Sequence, residues 1–440
     1  MQKLRRPALW SLLLVWIAVV GAACSNSDRG SWEQGQIPCD STATPIVFVH
    51  GFLEVGDAFA NQSMRFASNG YCLDRIYAFD WNTLGDFQTE ERRLEAFVDE
   101  VLRDTGASQI DLAGHSMGTF LSSLYLSEPA NATQVAHYGN LAGLSATEPP
   151  GGVPTITLSS PDDYVAGVST IEGAVNVELP GQDHLQIATS AESFFHLYRF
   201  FNNGAEPSTL AMQPAPEIAL SGVLVTFAEN QPAAGLALRI YPVDPATGIR
   251  LSQEPEGTFT ADAGGCWGPF PAAPGQHYEY EILGGDPDWP PIHYYREPLP
   301  RSCRLVDFRV FPAPDTLPGR ILKGLPLRDD QALVATLTLN QATVSGRDSL
   351  FVDGYEVSSP EVAPPEKTLI ATFFFDINEN GITDATAPGG LFDFLPFLQA
   401  FDLVVDAESP RPVPVVFNGR AMAVQNWRSA TEGLSIAMFE

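Results

Sequence analysis

The sequence is short of positive charge, of cysteine and of long apolar runs, and each shortage narrows what the chain can do. Lysine and arginine together number 24 against 53 acidic residues, for a net charge of −29. A nucleic-acid partner calls for a basic face, so none is expected. The five cysteines form no Cys-x-x-Cys pair and no His/Cys cluster, which argues against a zinc site. The uncharged stretch from Pro7 to Ala23 is too short to span a membrane comfortably. It follows Lys3, Arg5 and Arg6, and residues 1–23 read as a signal peptide. Glycine (37) and proline (36) are plentiful instead, and they concentrate after residue 205, where turns should dominate. At 440 residues the chain has room for two or three domains.

Export sets the expectations for the cysteines. Gly21-Ala22-Ala23-Cys24 resembles a bacterial lipobox, which implies a lipidated Cys24 and attachment to a membrane at the cell surface or outer membrane. Gly21 stands where that motif usually has leucine, so ordinary cleavage after Ala23 and secretion is the alternative. Residues 24–43 would then be a tether. Of the remaining cysteines two fall early and two late, which suggests the pairs Cys39–Cys72 and Cys266–Cys303 in an oxidising compartment.

The chemistry is concentrated at Gly114-His115-Ser116-Met117-Gly118. QIDLA before it reads as a strand and TFLSSLYL after it as a helix. A strand-Gly-x-Ser-x-Gly-helix junction is a nucleophile elbow, in which a tight turn presents the serine hydroxyl and both flanks must be glycine. Upstream, Pro45 to Val49 reads as a buried parallel strand running into His50-Gly51-Phe52. Further strands are expected at 74–80, 109–113, 135–144, 153–160 and 174–179, with helices near 57–67, from Thr89 to Gly106 and after the elbow. That alternation predicts a mostly parallel sheet.

In this frame the chain resembles the bacterial family I lipases of the α/β-hydrolase superfamily, particularly the small lidless kind. The matching pieces are VFVHGF, DRIYAFD, GHSMG, SSPDD and GQDHL, in the family's order. The resemblance implies an α/β-hydrolase domain over 44–205 with catalytic Ser116, Asp162 and His184 and an oxyanion hole made by the amides of Phe52 and Met117. Adjacent carboxylates cannot be separated by pattern, so Asp163 is the other candidate for the acid. His50 is expected to brace its loop, and His137, His196, His277 and His293 match nothing in the motif. The short Gly/Pro-rich stretch from Leu144 to Val153 leaves little material for a helical lid.

The second half is different material. Residues 206–218 read as a linker, and from Ile218 short alternating strands take over. Residues 219–315 look like a β-sandwich of the transthyretin-like or carboxypeptidase-regulatory kind, and 316–440 like a second β-rich domain. The layout resembles lipases with a long β-rich C-terminal half. This half is expected either to aid access to insoluble substrate or shield the apolar rim of the site, in which case truncation after Asn203 would spare hydrolysis of a short soluble ester, or to be a spacer or stabilising partner. Trp289, Tyr294 and Tyr295 could adsorb to substrate, although packing is the plainer alternative.

The sequence thus implies an exported serine hydrolase of carboxylic esters, with acylglycerols foremost. A polyhydroxyalkanoate or polyester depolymerase is the alternative, as is a surface binding protein with a vestigial hydrolase domain. No cofactor is required for this chemistry. Asp376, Asn378, Asn380 and Asp384 have calcium-loop spacing, but Ala387 stands where the closing glutamate is expected, so the alternatives are a structural calcium and an Asn/Gly-rich turn between strands.

Overall fold

The computed structural model describes residues 39–284, 289–387, 392 and 396–440. The expected signal peptide, the lipobox with Cys24 and most of the tether lie outside these residues. Six strands form the first sheet: β1 (Ile46–Val49), β2 (Ile76–Phe79), β3 (Ile110–His115), β4 (Val135–Leu141), β5 (Thr155–Ser159) and β6 (Val175–Glu178). Every pairing is parallel and the order is 2-1-3-4-5-6. This is the predicted α/β-hydrolase sheet. β1, β3 and β5 are buried along their whole length, which is why they read as near-continuous apolar runs. The order reverses between β1 and β3, and the loops leaving those two strands meet at the switch point where such sheets place their sites.

Helices cover the sheet: α1 (Ala60–Ser68), α2 (Phe87–Thr105), α3 (Met117–Ser127), α4 (Pro129–Ala132), α5 (Gln186–Thr189) and α6 (Ala191–Phe201). The α2 cap is Asp86, whose carboxylate accepts from the Thr89 amide, so the helix starts ahead of the Thr89 cap expected from sequence. It ends at Gly106 in the left-handed conformation (φ 66°), where glycine has no Cβ to strain.

The β-rich half contains β7 (Ile218–Thr226), β8 (Ala237–Val243), β9 (Gly257–Thr260), β10 (Cys266–Ala272), β11 (His277–Leu283), β12 (Ile292–Arg296) and β13 (Phe308–Val310). A short helix, α7 (Leu317–Leu322), leads to β14 (Val334–Thr338), β15 (Leu350–Val352), β16 (Tyr355–Glu356), β17 (Ala371–Phe375), β18 (Leu398–Asp402), β19 (Pro412–Phe417), β20 (Arg420–Gln425) and β21 (Leu434–Phe439). One eight-stranded sheet runs 18-17-14-21-12-11-8-9. It crosses the boundary drawn at 315/316, because the C-terminal strand β21 inserts between β12 and β14 and pairs in parallel with both. This sheet joins the two expected β regions, while β10-β7-β13 and β16-β15-β19-β20 form separate sheets, one in each region.

The halves also share a core. Phe48, Phe59 and Phe194 of the hydrolase unit belong to the same buried cluster as Leu220, Tyr294 and Phe308. Asp57 forms a bidentate ion pair with Arg309 of β13 at 3.0 and 3.1 Å, both side chains being largely buried. Cys39–Cys72 is a disulfide, as expected. Cys266–Cys303 is not: Cys303 is a free, buried thiol. Trp289, Tyr294 and Tyr295 are buried, and the Trp289 indole donates to the Pro312 carbonyl while stacking on Phe311. They form no adsorbing patch.

Candidate active site

Ser116 sits between β3 and α3 with φ 52° and ψ −123°, a strained conformation that turns its side chain out of the sheet. Both flanking glycines are sterically required. A Cβ on Gly114 would lie 2.8 Å from the Gly118 carbonyl oxygen, and one on Gly118 would lie 2.2 Å from the Val49 carbonyl oxygen. The elbow is thus wedged against the end of β1. The Gly51–Phe52 turn lies on its other side, since a Cβ on Gly51 would come within 3.0 Å of the Ser116 Cβ.

His184 stands in the loop after β6, and its Nδ1 is 2.8 Å from Asp163 Oδ2. Both side chains are almost completely buried. Asp163 Oδ1 accepts from the Val165 and Ala166 amides (2.8 and 3.1 Å). Burial alone would raise the Asp163 carboxyl, but the hydrogen bond and charge of His184 and these two amides hold it below its ordinary value. The carboxylate at the histidine is therefore Asp163, and the first choice from sequence, Asp162, is corrected by one place. The Asp162 side chain points outward and caps the next turn instead, accepting from the Gly181 amide at 2.7 Å. Pro161 and Asp162 form a turn closed by the Asp163 amide on the Ser160 carbonyl, and pattern cannot show which of the two carboxylates that turn directs inward.

With Nδ1 directed at a carboxylate, the His184 proton is held there and Nε2 is left as the basic nitrogen. Nε2 is buried and has no hydrogen-bond partner among the described residues. Such an atom is costly unless something is meant to approach it. Met117 opens α3, so its amide lacks an intrahelical acceptor. The Phe397 ring lies parallel to the His184 ring, with centroids 6.2 Å apart and an interplanar angle of 3°, and Phe52 packs beside Phe397. A residue of the β-rich half thus forms part of the wall over the base.

His50 braces its loop. Its Nδ1 is 2.9 Å from the Gly51 carbonyl, and its Nε2 faces the Trp81 amide and the Asn230 amide nitrogen, both at 3.2 Å. Nε2 must accept, so the ring is neutral; burial lowers its pKa to about 4. His137 pairs with Asp111 and His293 with Glu279, both away from the elbow. No motif singles out Glu54 or His115 for a role of its own, yet both are buried and paired beside Ser116.

The calcium-spaced loop is satisfied internally. Asp376 accepts from the Asn380 and Gly381 amides, and Asn378 Nδ2 donates to Asp384 Oδ2. Among the described residues no group of three or more His, Cys, Asp or Glu side chains is arranged to hold a metal ion.

Residues 43–127 match the family model described as Lipase (class 2). Over these residues the chain is similar to the class 2 lipases, and the sheet that contains them has the α/β-hydrolase fold. Residues 216–312 match the Lipase C-terminal domain model, and residues 339–440 match a further model described as a C-terminal domain. Among solved structures, the chain is similar to a Bacillus licheniformis lipase in its mature form, at 16% identity over 38% of this chain and 95% of that one, TM-score 0.32. It is also similar to a membrane phospholipase A described as a bacterial virulence factor (14% identity, 38% and 81% covered, TM-score 0.31). A third similar structure is a Paleococcus ferrophilus monoacylglycerol lipase (12% identity, 37% and 97% covered, TM-score 0.30).

Proposed function

We propose that the protein is an exported serine esterase that hydrolyses acylglycerols through Ser116, His184 and Asp163. Ser116 Oγ attacks the ester carbonyl while His184 Nε2 takes its proton, and Asp163 stabilises the imidazolium. The Phe52 and Met117 amides receive the oxyanion. Collapse of the tetrahedral intermediate expels the alcohol, which leaves with the proton from His184, and the acyl group stays on Ser116. Water then attacks the acyl-enzyme by the same route and releases the carboxylic acid.

The observation that carries the acylglycerol reading is a cavity of about 120 Å³ between the two halves. Phe52 and Leu185, next to the oxyanion turn and the base, form its catalytic side, and Leu337, Ala371, Phe373 and Ile436 form the wall contributed by the β-rich half. Ser116 and His184 are not among its lining residues, but a largely apolar cavity that starts at their neighbours Phe52 and Leu185 suits an acyl chain. Leu84, Leu144, Tyr164, Val165 and Val168 are exposed on loops that follow the strands of the first sheet, and they suit contact with a lipid surface.

The test is a series of p-nitrophenyl esters of increasing chain length, run beside emulsified triglyceride and polyester film. Activity on film and none on triglyceride would replace this reading with a polyester depolymerase. Absence of all activity would leave a binding protein. Lipid anchoring through Cys24 is part of the proposal and has its own test. The protein should partition into detergent and Cys24→Ser should release it, whereas a soluble wild-type protein with no added mass would mean ordinary secretion.

A further inference from the structure

Two buried residues outside the triad connect the oxyanion turn to the base. Glu54 Oε2 accepts from the Gly51 amide at 2.6 Å, in the turn that holds Phe52. The same oxygen is 2.9 Å from His115 Nδ1. On the other side of the ring, His115 Nε2 is 3.0 Å from the main-chain carbonyl of His184. The His115 and His184 rings lie 4.8 Å apart. His115 is itself the residue before the nucleophile. A single imidazole thus links the three segments that supply oxyanion donor, nucleophile and base.

The partners decide the ring's charge. A carbonyl oxygen can only accept, so Nε2 must donate; a carboxylate can only accept, so Nδ1 must donate as well. An imidazole that donates from both nitrogens is a cation. The other arrangement, a neutral ring facing a protonated Glu54, would make one hydroxyl oxygen both donate to His115 and accept the short Gly51 bond, for which a carboxylate oxygen is the stronger acceptor. Burial opposes charge on both groups, but each outweighs that cost for the other. The Glu54 carboxyl is brought down to about 2, chiefly by the His115 charge and hydrogen bond, and the His115 pKa rises above its ordinary value. The titratable groups facing His115 are Glu54 and His50 from the loop after β1, Asp163 after β5 and His184 after β6.

We propose that Glu54 and His115 are a positioning pair, a buried carboxylate and imidazolium that hold the oxyanion turn and the base loop in register on either side of Ser116. The pair touches no reacting atom. When His115 loses its proton, Nε2 or Nδ1 meets an acceptor with a lone pair and one of the two links is broken. Catalysis should therefore fail on the alkaline side as this proton is lost. The inference rests on the esterase reading above.

The experiment uses the full chain and p-nitrophenyl butyrate, with Ser116→Ala as the control that tests the esterase reading alone. If that variant stays active, the nucleophile assignment fails and the pair is not at issue. Given an inactive control, Glu54→Gln should lower kcat on the order of tenfold to a hundredfold with KM little changed, as expected for a small displacement of catalytic groups. Its alkaline limb should also move to lower pH by about one unit or more, since the carboxylate that holds the His115 proton is gone. Glu54→Asp should recover part of the loss, and His115→Gln should abolish the limb. Wild-type kcat with an unmoved alkaline limb in Glu54→Gln would overturn the proposal. Should these variants fail to fold, nitrogen-15 spectra of the wild-type histidines decide. His293 also faces two acceptors, Glu279 and the Glu432 carbonyl, so His293→Gln removes its signal. A doubly protonated ring persisting at pH 8 in that variant supports the pair, and only singly protonated rings would overturn it.

Discussion

Arg347, in the loop before β15, places Nη2 2.7 Å from the Asp183 carboxylate, immediately before His184. The same Asp183 oxygen accepts from the Ala342 amide at 3.0 Å. Its other oxygen accepts from the Leu185 and Gln186 amides, which pins the turn on the far side of His184. The β-rich half therefore holds the base loop directly. It holds the oxyanion loop too, where the Asn230 side chain donates to the Glu54 and Trp81 carbonyls. Both loops that complete the site are tied to residues more than a hundred positions away.

Truncation after Asn203 should consequently abolish hydrolysis of soluble and emulsified esters alike. The sequence pointed to a separable accessory half, but the shared core and these cross-links make the first unit incomplete alone. Exposing the face that packs on Leu220, Tyr294 and Phe308 would forfeit about 1.5–3 kcal/mol for each large side chain uncovered. Circular dichroism melting of the fragment, with p-nitrophenyl butyrate turnover, checks this. A folded, active fragment would restore the accessory view.

Arg347→Ala should lower kcat on a short ester roughly tenfold, about 1.4 kcal/mol, with little effect on KM, because a loosened base loop costs orientation and not binding. Arg347 is partly exposed, which keeps the expected loss modest. Arg347→Lys should recover only part, since the ammonium cannot reproduce the guanidinium contacts to Asp183, Asp348 and the Ala342 carbonyl together. Unchanged kcat in the alanine variant would show that the loop holds itself.

Asp163→Asn should cut kcat on the order of ten-thousandfold, as loss of a triad carboxylate does, while Asp162→Asn should cost less than about tenfold. The two substitutions are chemically identical and one residue apart, so geometry alone separates them. Steady-state kinetics on p-nitrophenyl butyrate give the ranking directly, and the reverse ranking would return the acid to Asp162.

The contrast between those neighbours shows what was legible in the sequence. The six parallel strands, the elbow with its two obligatory glycines, Ser116 and His184 follow from local patterns, because strand burial and tight-turn sterics are written in consecutive residues. The facing of Asp162 and Asp163 depends on how one loop packs, and no local pattern records that. Neither Asn230 nor Arg347 sits in a motif; each acts through contacts across the chain. The expected Cys266–Cys303 bond failed for the same reason, since pairing by order along the chain ignores where β10 and the buried Cys303 come to lie. The β-rich half was legible as strands, but the sheet that crosses the 315/316 boundary was not, because the insertion of β21 between β12 and β14 is a tertiary event.

Stability should fall as pH rises from about 4 toward neutrality through a buried acid cluster at the junction of the halves. Asp80 accepts from the Gly56 amide at 2.8 Å, and a Cβ on Gly56 would lie 2.9 Å from Asp307 Oδ2. Burial, with the neighbouring Asp57, raises the Asp80 carboxyl to about 6 against the opposing Gly56 hydrogen bond and arginine charges; burial and then Asp80 and Asp57 raise Asp307 well above its ordinary value. Both groups bind protons more tightly folded than unfolded. Their contribution is complete below the unfolded pKa near 3.8 and is lost as pH climbs through the folded values. Asp307→Asn should thus melt higher than wild type at pH 8 by several degrees, with the gain shrinking toward pH 4. A variant that is less stable by the same amount at both pH values would show that the Asp307 charge plays no part.

Filling the cavity from the β-rich side should change chain-length preference without touching the catalytic groups. Ala371 of β17 lines the slot opposite Phe52 and Leu185, and its small side chain leaves the space that an acyl chain would use. In Ala371→Phe the added ring should occupy that space, so kcat/KM for a long-chain ester should fall on the order of a hundredfold while that for the butyrate stays within about threefold. The new ring also risks overpacking, which costs roughly 1–3 kcal/mol in a close-packed interior, so the melting temperature has to be recorded alongside. Overpacking alone would depress both esters together through loss of folded enzyme, whereas occlusion of an acyl site changes their ratio. A folded variant whose long-to-short ratio matches wild type would place the acyl chain elsewhere, along the exposed apolar loops above the first sheet.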